Sequence, residues 1–397
     1  MQAVSEQAKA LKSQKNDLEI AILEHFRSDE NRNKSEITRG NHAARKYRLS
    51  AIKENEISVR RIHESSDEWN KYSDGNPATS IYHRSEWLDL IKSTFGHDCI
   101  YLQAIDSKER IVGILPLVYM KSYLFGNFMI SVPYFNYGGA VGDHPLIEQH
   151  LMTSANEIAS TIGSHHIEYR DNVVRDFYPA CSRKVSMQLT LPDNQETLWE
   201  SFPSKLRAQI RRPLRENPEV RIGGLDCLDD FYSVFARNMR DLGTPVYSKD
   251  FFRNILNIFP ENSKILSVRI HGKPVAACFL LGYREQLEIP WASTIREVNH
   301  LSINMLLYWE ALKFAISNKY RLFDFGRSTR DSGTFRFKQQ WGAKPRQLYW
   351  HYWLQEGEKL PELNPDNPKY ALAISIWKRL PLFLANRIGP AVVKYLP

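Results

Sequence analysis

The sequence predicts an α/β (α+β) protein with two domains, each built on a mixed β-sheet. Apolar runs of strand length alternate with helical patterns along most of the chain. A hairpin pattern occurs twice, at 100–117 and at 265–280, with helices before it and a helix and strand after it. Such internal similarity indicates a duplicated unit. The 397 residues, 43% hydrophobic and 25% charged, suit two ordinary soluble domains.

The N-terminal segment is charged and polar. Leu11, Leu18, Ile22 and Phe26 have near-heptad spacing within it, which favours a short helix. The expected segments of the chain are a polar appendage, partly disordered or helical (1–55), a first domain (56–192), a second domain that begins with a basic helix (193–355) and an amphipathic C-terminal tail (356–397).

In the first domain, strand patterns alternate with two clear helices. The helix from Ser85 to Phe95 should end at Gly96, since glycine adopts the left-handed conformation that closes a helix. Pro145 suits the first turn of a second helix, which runs to about Ile162. The expected strands are 57–62, 99–105, 111–120, 128–132, 167–170 and 185–191.

The second domain is expected to open with a basic helix from Ser204 to about Arg212, because Pro213 should end or kink it. Further helical patterns cover 229–240, 248–259 and 301–317. The expected strands are 265–270, 275–282, 287–292, 322–325 and 347–353.

Segment 321–345 is the most informative part of the chain. Strand 322–325 is expected to end at Gly326 and to lead into a polar loop. Cations and hydroxyls at the end of a buried strand are typical of a site for an anionic or acyl substrate. A solvated charged connection is the alternative. The loop residues are Arg327, Ser328, Thr329 and Arg330.

A short helix should follow this loop. Thr334, Phe337 and Trp341 recur at helical spacing, which predicts a helix seated on the core and closed by Gly342. Lys338 lies beside that apolar stripe, so its ammonium group would reach the same place as the loop.

The sequence contains no GxSxG, Walker, GxGxxG or HExxH motif, which argues against hydrolases, kinases, dinucleotide enzymes and zinc proteases. Direct transfer of an acyl group to an amine needs only alignment, oxyanion stabilisation and removal of a proton. Lys338 can stabilise the oxyanion or grip a donor phosphate. Asp324 can accept the amine proton or orient Lys338, or it can be a cap or turn residue. Asn304, on the helix at 301–317, is a further candidate to face the cleft.

The basic helix is the densest cluster of positive charge. Arg207, Arg211 and Arg215 repeat every four residues, and Lys205 lies on the same helix. This row can grip phosphates of a nucleotide-sugar, a lipid pyrophosphate or tRNA. A solvated helix face is the alternative.

A second candidate binding segment precedes a pair of glycines. Tyr134, Asn136 and Tyr137 lie just before Gly138 and Gly139, where a backbone without side chains lets a ligand approach closely. Aromatic and amide groups suit a sugar or a peptide. A buried tyrosine turn is the alternative.

The bulk chemistry points to a cytoplasmic protein with an anionic partner. The net charge is +8, and the N-terminus has no apolar signal region. The cysteines are scattered without metal-ligand spacing, so we expect reduced thiols and no metal. They are Cys99, Cys181, Cys227 and Cys278.

The C-terminal tail is apolar for a chain terminus. Trp377 and Phe383 lie among leucines and isoleucines, Lys378 and Arg379 flank them, and Pro381 interrupts the pattern. An amphipathic segment lying on an anionic inner-membrane surface fits this composition. Packing on the folded body or in a dimer is the alternative.

From 57 to 353 the sequence resembles the FemAB-like (Fem-type) transferases, tandem proteins of the acetyltransferase (GNAT) fold, and most of all the FemAB-related proteins of exosortase (PEP-CTERM) exopolysaccharide systems. The order and spacing of several segments carry the resemblance. They are YHRSEW (82–87), PYFNYGG (133–139), IEYRD (167–171), SKLRAQIRR (204–212), GTPVY (243–247), FDFGRS (323–328) and FKQQWG (337–342).

The resemblance implies two tandem GNAT-like domains and the formation of an amide bond. Fem-type enzymes transfer an aminoacyl group from aminoacyl-tRNA to an amine of a peptidoglycan precursor, and a Phe-Lys pair is functional in them. Phe337 and Lys338 match that pair. The chain shows neither a long helical-hairpin insertion nor the RxxGxG loop of ordinary acetyl-CoA binders.

We therefore expect an acyl- or aminoacyltransferase acting on a cell-envelope or exopolysaccharide precursor, without a tightly bound cofactor. Its partners would be an anionic acyl donor, either aminoacyl-tRNA or acyl-CoA, and a glycan or lipid-linked acceptor at the inner face of the membrane. One alternative is an acyl-CoA-dependent N-acyltransferase of an amino sugar. Another is a non-catalytic RNA- or membrane-binding scaffold.

Overall fold

The computed structural model describes residues 57–396, except 123–125, 176 and 362–367. At 368–372 it describes the backbone but not the side chains. The helix expected at 11–26 lies outside these residues. The strands are β1 (Ser58–Ile62), β2 (Asp98–Ile105), β3 (Ile111–Ser122), β4 (Gly126–Ile130), β5 (Val141–Gly142), β6 (His166–Asp171), β7 (Ala180–Cys181), β8 (Lys184–Thr190), β9 (Glu219–Gly223), β10 (Ser263–Ile270), β11 (Lys273–Tyr283), β12 (Gln286–Thr294), β13 (Leu322–Thr329), β14 (Lys344–Gln347) and β15 (Tyr349–Leu354).

Helices lie between these strands and at the C-terminus. One helix begins where its sequence predicts, because Pro145 occupies its first turn. Another ends where its sequence predicts, because Gly96 closes it with φ 71°. The α-helices are α1 (Asp67–Gly75), α2 (Glu86–Phe95), α3 (Pro145–Thr161), α4 (Gln195–Ser201), α5 (Ser204–Arg211), α6 (Leu228–Leu242), α7 (Lys249–Ile258), α8 (Ile303–Ser317), α9 (Gly333–Gln339), α10 (Pro368–Arg379) and α11 (Leu382–Val393).

The strands form two mixed sheets. The first has the order β1-β2-β3-β4-β6-β15-β7, with β5 beside β3, and the second has the order β14-β8-β13-β12-β11-β10-β9. In the described residues each sheet has one parallel pair, β4 with β6 and β12 with β13. The predicted α/β class with mixed sheets is confirmed.

The two sheets repeat one plan. Hairpins β2–β3 and β10–β11 occupy equivalent places, and each is followed by a strand, a helix and a parallel strand. Helix α3 makes this connection in the first half and α8 makes it in the second. The duplication that the repeated hairpin pattern predicts is therefore present.

The halves exchange strands across the predicted domain boundary. Strand β8, expected in the first domain, pairs with β13 of the second sheet, where Thr190 faces Leu322. Strand β15, expected in the second domain, pairs with β6 of the first sheet, where Tyr349 faces Asp171. The local pattern identifies both as strands but does not contain their partners, because pairing is decided by tertiary contacts. The two sheets are consequently not separated at 192/193.

An aromatic core joins the halves. Trp87 of α2 packs against Phe135 at 4.7 Å between ring centroids and against Phe259 at 4.9 Å. All three side chains are buried, and the cluster also includes Phe252 of α7 and Phe279 of β11. Burial of large aromatic side chains is the main stabilising term here, so residues 57–397 fold as one unit.

The C-terminal tail packs on the body. A Cβ built on Gly389 of α11 would lie 2.9 Å from the backbone nitrogen of Val246, and one built on Gly243 would lie 2.6 Å from Ile374 Cγ2 of α10. Of the two arrangements open from the sequence, packing on the folded body is therefore present. No helix among the described residues has the length and apolarity to cross a membrane.

Candidate functional site

Two carboxylates lie side by side where the second sheet opens. The parallel strands β12 and β13 are paired only from Gln286 to Glu288 and from Leu322 to Asp324. Glu288 and Asp324 form the last pair of this register, so both side chains project from the same face. Beyond this point β12 and β13 are no longer paired with each other, which leaves room for groups from the first half.

Asp324 is completely buried and accepts hydrogen bonds from several donors. Ser186 Oγ donates at 2.5 Å, Tyr137 Oη at 2.6 Å and Gln188 Nε2 at 3.0 Å. The backbone nitrogen of Gly326 donates at 2.8 Å, which is the turn role considered from the sequence. Among the described residues, no hydrogen bond or ion pair joins this carboxylate to Lys338. Orientation of Lys338 by Asp324 stays a prediction, in which the charge of the carboxylate acts on the ammonium group.

Glu288 is the second buried carboxylate. Its oxygens accept hydrogen bonds from Tyr82 Oη at 2.7 Å and from Asn136 Nδ2 at 3.2 Å. Burial raises the pKa of Glu288 to about 8, with a further contribution from the charge of Asp324. Glu288 is therefore largely protonated at neutral pH. Its neighbour in the cluster is the Asp324 carboxylate.

Lys338 lies on α9 above these carboxylates and is 8% exposed. Its Nζ donates to the carbonyl oxygens of Gly326 and Arg327, both at 2.9 Å. Burial lowers the pKa of Lys338 to about 8, and the opposite charge of Asp324 limits that fall. An ammonium group held in this way can donate a hydrogen bond to developing negative charge.

The segment after Gly326 differs from its prediction. It is not a loop, because β13 continues to Thr329 and pairs with β8, with Ser328 opposite Val185. Gly326, at φ 74°, allows the break in register that precedes this second stretch. Ser328 is buried, and its Oγ has no hydrogen-bond partner among the described residues.

Arg327 is exposed at this edge and lies over an aromatic ring. Its guanidinium carbon is 5.4 Å from the ring centroid of Trp350, and that of Arg170 is 4.6 Å from the same ring. Arg170 is buried and bound to Glu168 at 2.7 Å. Arg327 makes no ion pair among the described residues, so it is the cation here that remains available to an anionic ligand.

Four predicted residues, including Asp324, meet in the cluster, and others do not. Tyr137 and Asn136 bind the two carboxylates, and Lys338 lies beside them, as described above. Tyr134 lies elsewhere, because its hydroxyl donates to the carbonyl of Lys394 in the tail at 3.0 Å. Phe337 packs on the ring of Tyr308 at 5.0 Å and is a core contact. Asn304 is half-buried at the start of α8, and no hydrogen bond among the described residues joins it to the cluster.

The basic helix α5 forms a separate surface. Its apolar residues Leu206 and Ile210 are buried in the second core, while Lys205 and Arg211 are exposed and Arg207 is half-buried. Arg211 lies over the ring of Trp199 at 5.1 Å. In the part of the chain that the structure describes, no carboxylate pairs with these cations, so the row presents uncompensated positive charge.

Glu288 and Tyr82 were missed as site residues. The signal for Glu288 is its place in β12 between Leu287 and Ile289, which are both buried on one face. In a strand covered on both sides, the intervening carboxylate must face other buried groups. For Tyr82, no pattern in its own neighbourhood indicates a carboxylate partner more than two hundred residues away.

Comparison with known proteins supports the fold. Residues 204–339 match the acetyltransferase (GNAT) domain family, a span that runs from α5 through Lys338. The chain is 24% identical over 189 residues to the UDP-N-acetylmuramoylpentapeptide-lysine N(6)-alanyltransferase of Weissella viridescens, which covers 45% of this chain. The match spans 56% of that relative's length, so the chain is similar to about half of that protein.

Two solved structures are similar in fold. The crystal structure of FemX has a TM-score of 0.57 and 13% identity and covers 79% of this chain and 100% of its own. The C-terminal domain of a putative lysylphosphatidylglycerol synthetase from Agrobacterium fabrum has a TM-score of 0.50 and 12% identity. The match covers 73% of this chain and 91% of that domain. The chain therefore has a FemX-like fold of GNAT type and is related in sequence to an aminoacyltransferase.

Proposed function

We propose that this chain forms an amide bond by transferring an aminoacyl or acyl group to an amine of a cell-envelope precursor. The observation that carries the proposal is the cluster of Lys338, Glu288 and Asp324 at the opening between β12 and β13. It lies inside the segment that matches the GNAT family, where acyl transfer fits the available groups. The alanyltransferase relative makes a bond of this class.

The chemistry requires little from the protein. The amine attacks the acyl carbonyl, a C–N bond forms, the C–O or C–S bond to the donor breaks, and the proton lost by the amine passes to the leaving oxygen or sulfur. The Lys338 ammonium would stabilise the oxyanion of the tetrahedral intermediate. Arg327, exposed at the edge of β13, would hold a phosphate of the donor or acceptor.

Aminoacyl-tRNA is the donor that we favour. The unpaired row on α5 suits an extended polyanion better than a single pyrophosphate. The segment Arg296–Leu301, which precedes α8, contains no glycine, so its backbone amides are less able to surround a pyrophosphate. Acyl-CoA remains the second candidate, since the matching family is described as acetyltransferases.

The acceptor is proposed to be a lipid-linked or exopolysaccharide precursor of the kind expected in an exosortase-associated system. The reaction would then take place in the cytoplasm at the inner face of the membrane, with the protein in peripheral contact. This assignment rests on the resemblance of the sequence segments given above and on the net charge of +8.

A donor screen tests the proposed reaction. Purified protein is incubated with aminoacyl-tRNA or with acyl-CoA and a set of amine-bearing envelope precursors, and the products are identified by mass spectrometry. Amide formation that Lys338→Met abolishes supports the proposal, and the active donor separates the two candidates. Binding of either donor without any product from either would favour a non-catalytic scaffold and overturn it.

A further inference from the structure

The two tail helices are fixed to the body by one face. Ala385, Gly389 and Val393 of α11 are all buried and recur every four residues. The carbonyl of Leu380, between the helices, accepts a hydrogen bond from Arg240 Nη1 at 2.9 Å. The carbonyl of Lys394 lies 2.8 Å from His97 Nε2. The inner face is therefore determined, and no other described residue covers the opposite face of the tail.

That opposite face is apolar at its centre. Phe383 is 70% exposed, Ile376 is 55% exposed and Ile388 is 42% exposed. Phe383 has the highest exposed fraction of the large apolar residues that the structure describes. Isolated exposed apolar residues are common on protein surfaces, but several on adjoining helices mark an interaction surface. We call these three residues, with the cations named next, the outer tail face.

Cations complete this face. Arg379 and Arg387 are exposed on the same two helices, whereas the Cε atom of Lys378 lies against Gly243 of the body, on the inner face. Neither Arg379 nor Arg387 makes an ion pair within the described part of the chain. From 368 to 397 the sequence has five Lys or Arg residues and no Asp or Glu. The face is therefore apolar and purely cationic, the composition of helices that lie in the interface of an anionic bilayer.

A second copy of the chain fits this face poorly. A symmetric dimer brings the same patch of each copy together, so the two unpaired cations would meet the same two cations. Contact with an anionic surface removes that repulsion and still buries the apolar side chains. The charge pattern therefore selects the lipid surface as the occupant.

We infer that the outer tail face binds the surface of an anionic phospholipid bilayer. The helices α10 and α11, joined at Leu380 and Pro381, would lie in the headgroup layer with Ile376, Phe383 and Ile388 inserted. The body would remain attached through α6. This inference deepens the proposed function, on which it rests for its biological purpose, because it would hold the active site near a lipid-linked acceptor.

Vesicle flotation tests this surface without any substrate. The full chain is mixed with vesicles of phosphatidylcholine alone or with added phosphatidylglycerol. We expect binding only to the anionic vesicles, weakened about tenfold by Phe383→Ser and about tenfold by the pair Arg379→Glu and Arg387→Glu. The matched controls, Phe177→Ser and Lys108→Glu, exchange exposed residues far from the tail in sequence and should bind as the wild type does.

Three outcomes would overturn the inference. The first is equal binding to both kinds of vesicle. The second is binding that survives the tail substitutions and is lost in Arg211→Glu, which would place the lipid contact on α5. The third is a concentration-dependent dimer, seen by sedimentation velocity, that Phe383→Ser dissociates. Failure of amide formation in the donor screen with vesicle binding intact would leave the surface assignment standing and reject only the proposed reaction.

Discussion

The Tyr137 hydroxyl donates a 2.6 Å hydrogen bond to the Asp324 carboxylate, and the two residues are 187 positions apart in the chain. Tyr137 belongs to the first half and Asp324 to the second. The carboxylate that ends the parallel pairing of β12 and β13 is thus held by both halves. A small shift between the halves would change the environment of Glu288 and Lys338 as well.

Removal of this hydroxyl should loosen the cluster. We expect Tyr137→Phe to lower the free energy of unfolding by about 1–3 kcal/mol, because a buried carboxylate loses a hydrogen bond. Transfer activity should fall as well, since the group that fixes Asp324 is gone. Tyr72→Phe is the control, because its hydroxyl binds Asp143 at 3.1 Å outside the cluster and should affect stability only. Full activity of Tyr137→Phe would show that the contact has no part in catalysis.

Lys338 should control the alkaline limb of the rate. With its pKa near 8, the ammonium form is lost as the pH rises through that value, so kcat should fall there. Lys338→Arg keeps a cation at higher pH and should move the fall upward, with lower overall activity. Lys338→Met should remove most activity and cost about 1–3 kcal/mol of stability, because two buried carbonyls lose their donor. Measuring kcat of the wild type and of Lys338→Arg from pH 6 to about 9.5 tests this prediction. An unchanged profile in Lys338→Arg would contradict the assignment.

Glu288 should make stability depend on pH. Its pKa is about 8 in the folded chain and 4.5 ordinarily, so between these values the unfolded chain has released the proton and the folded chain keeps it. Rising pH therefore favours unfolding, and the stabilising contribution present at low pH is lost up to about pH 8. Glu288→Gln should remove this loss, on the order of 2–4 kcal/mol.

Urea unfolding at several pH values measures the effect of Glu288. The difference between wild type and Glu288→Gln should grow from pH 4.5 to about 8 and then level off. Glu157→Gln, at an exposed carboxylate of α3, should run parallel to the wild type. A constant difference between wild type and Glu288→Gln would mean that Glu288 is ionised in the folded chain throughout this range.

The row on α5 should bind a polyanionic donor in a salt-dependent manner. We expect Arg211→Glu to weaken binding of aminoacyl-tRNA about tenfold at low salt, and added salt should reduce the difference. Lys273→Glu reverses an exposed charge at the start of β11 and is the matched control. Fluorescence anisotropy with labelled tRNA gives the dissociation constants of the wild type and of Arg211→Glu. Equal, salt-independent binding by the wild type and Arg211→Glu would leave the row as a solvated helix face.

Docking of the tail should depend on Gly389. Any side chain there meets the backbone of Val246, so Gly389→Leu should detach α11 from the body. We expect a lower melting temperature and faster trypsin cleavage after Arg379 and Arg387. Ala391→Leu, at an exposed position of the same helix, should leave both unchanged. Equal cleavage rates in the two variants would contradict the close packing at Gly389.

Much of this fold was predictable because its elements have strong local patterns. The hairpins β2–β3 and β10–β11 and the helix at Ile303–Ser317 follow directly from periodicity and turn residues. The destinations of β8 and β15 did not follow, because a strand's own sequence does not specify which distant strand will pair with it. The sequence of the tail likewise fitted either a membrane surface or the folded body as its partner, and only the structure shows which face of the tail is buried on the body.

The site was predictable in its chemistry more than in its geometry. Lys338, Asp324, Tyr137 and Asn136 were identified from segments rich in polar residues beside apolar ones. Glu288 was missed, since a single carboxylate within a strand gives no local signal of its partners. Which residues of this cluster act in catalysis stays a prediction until the variants are measured.

The exchange of strands between the sheets has a consequence for biosynthesis. During translation β6 and β7 emerge early, but the strand that lies between them, β15, is among the last parts of the body to leave the ribosome. Until then the nascent chain carries an open strand edge, which can pair with other chains. A gene cut between the halves would yield an N-terminal fragment with that edge permanently open. We therefore expect the halves to fold together or not at all.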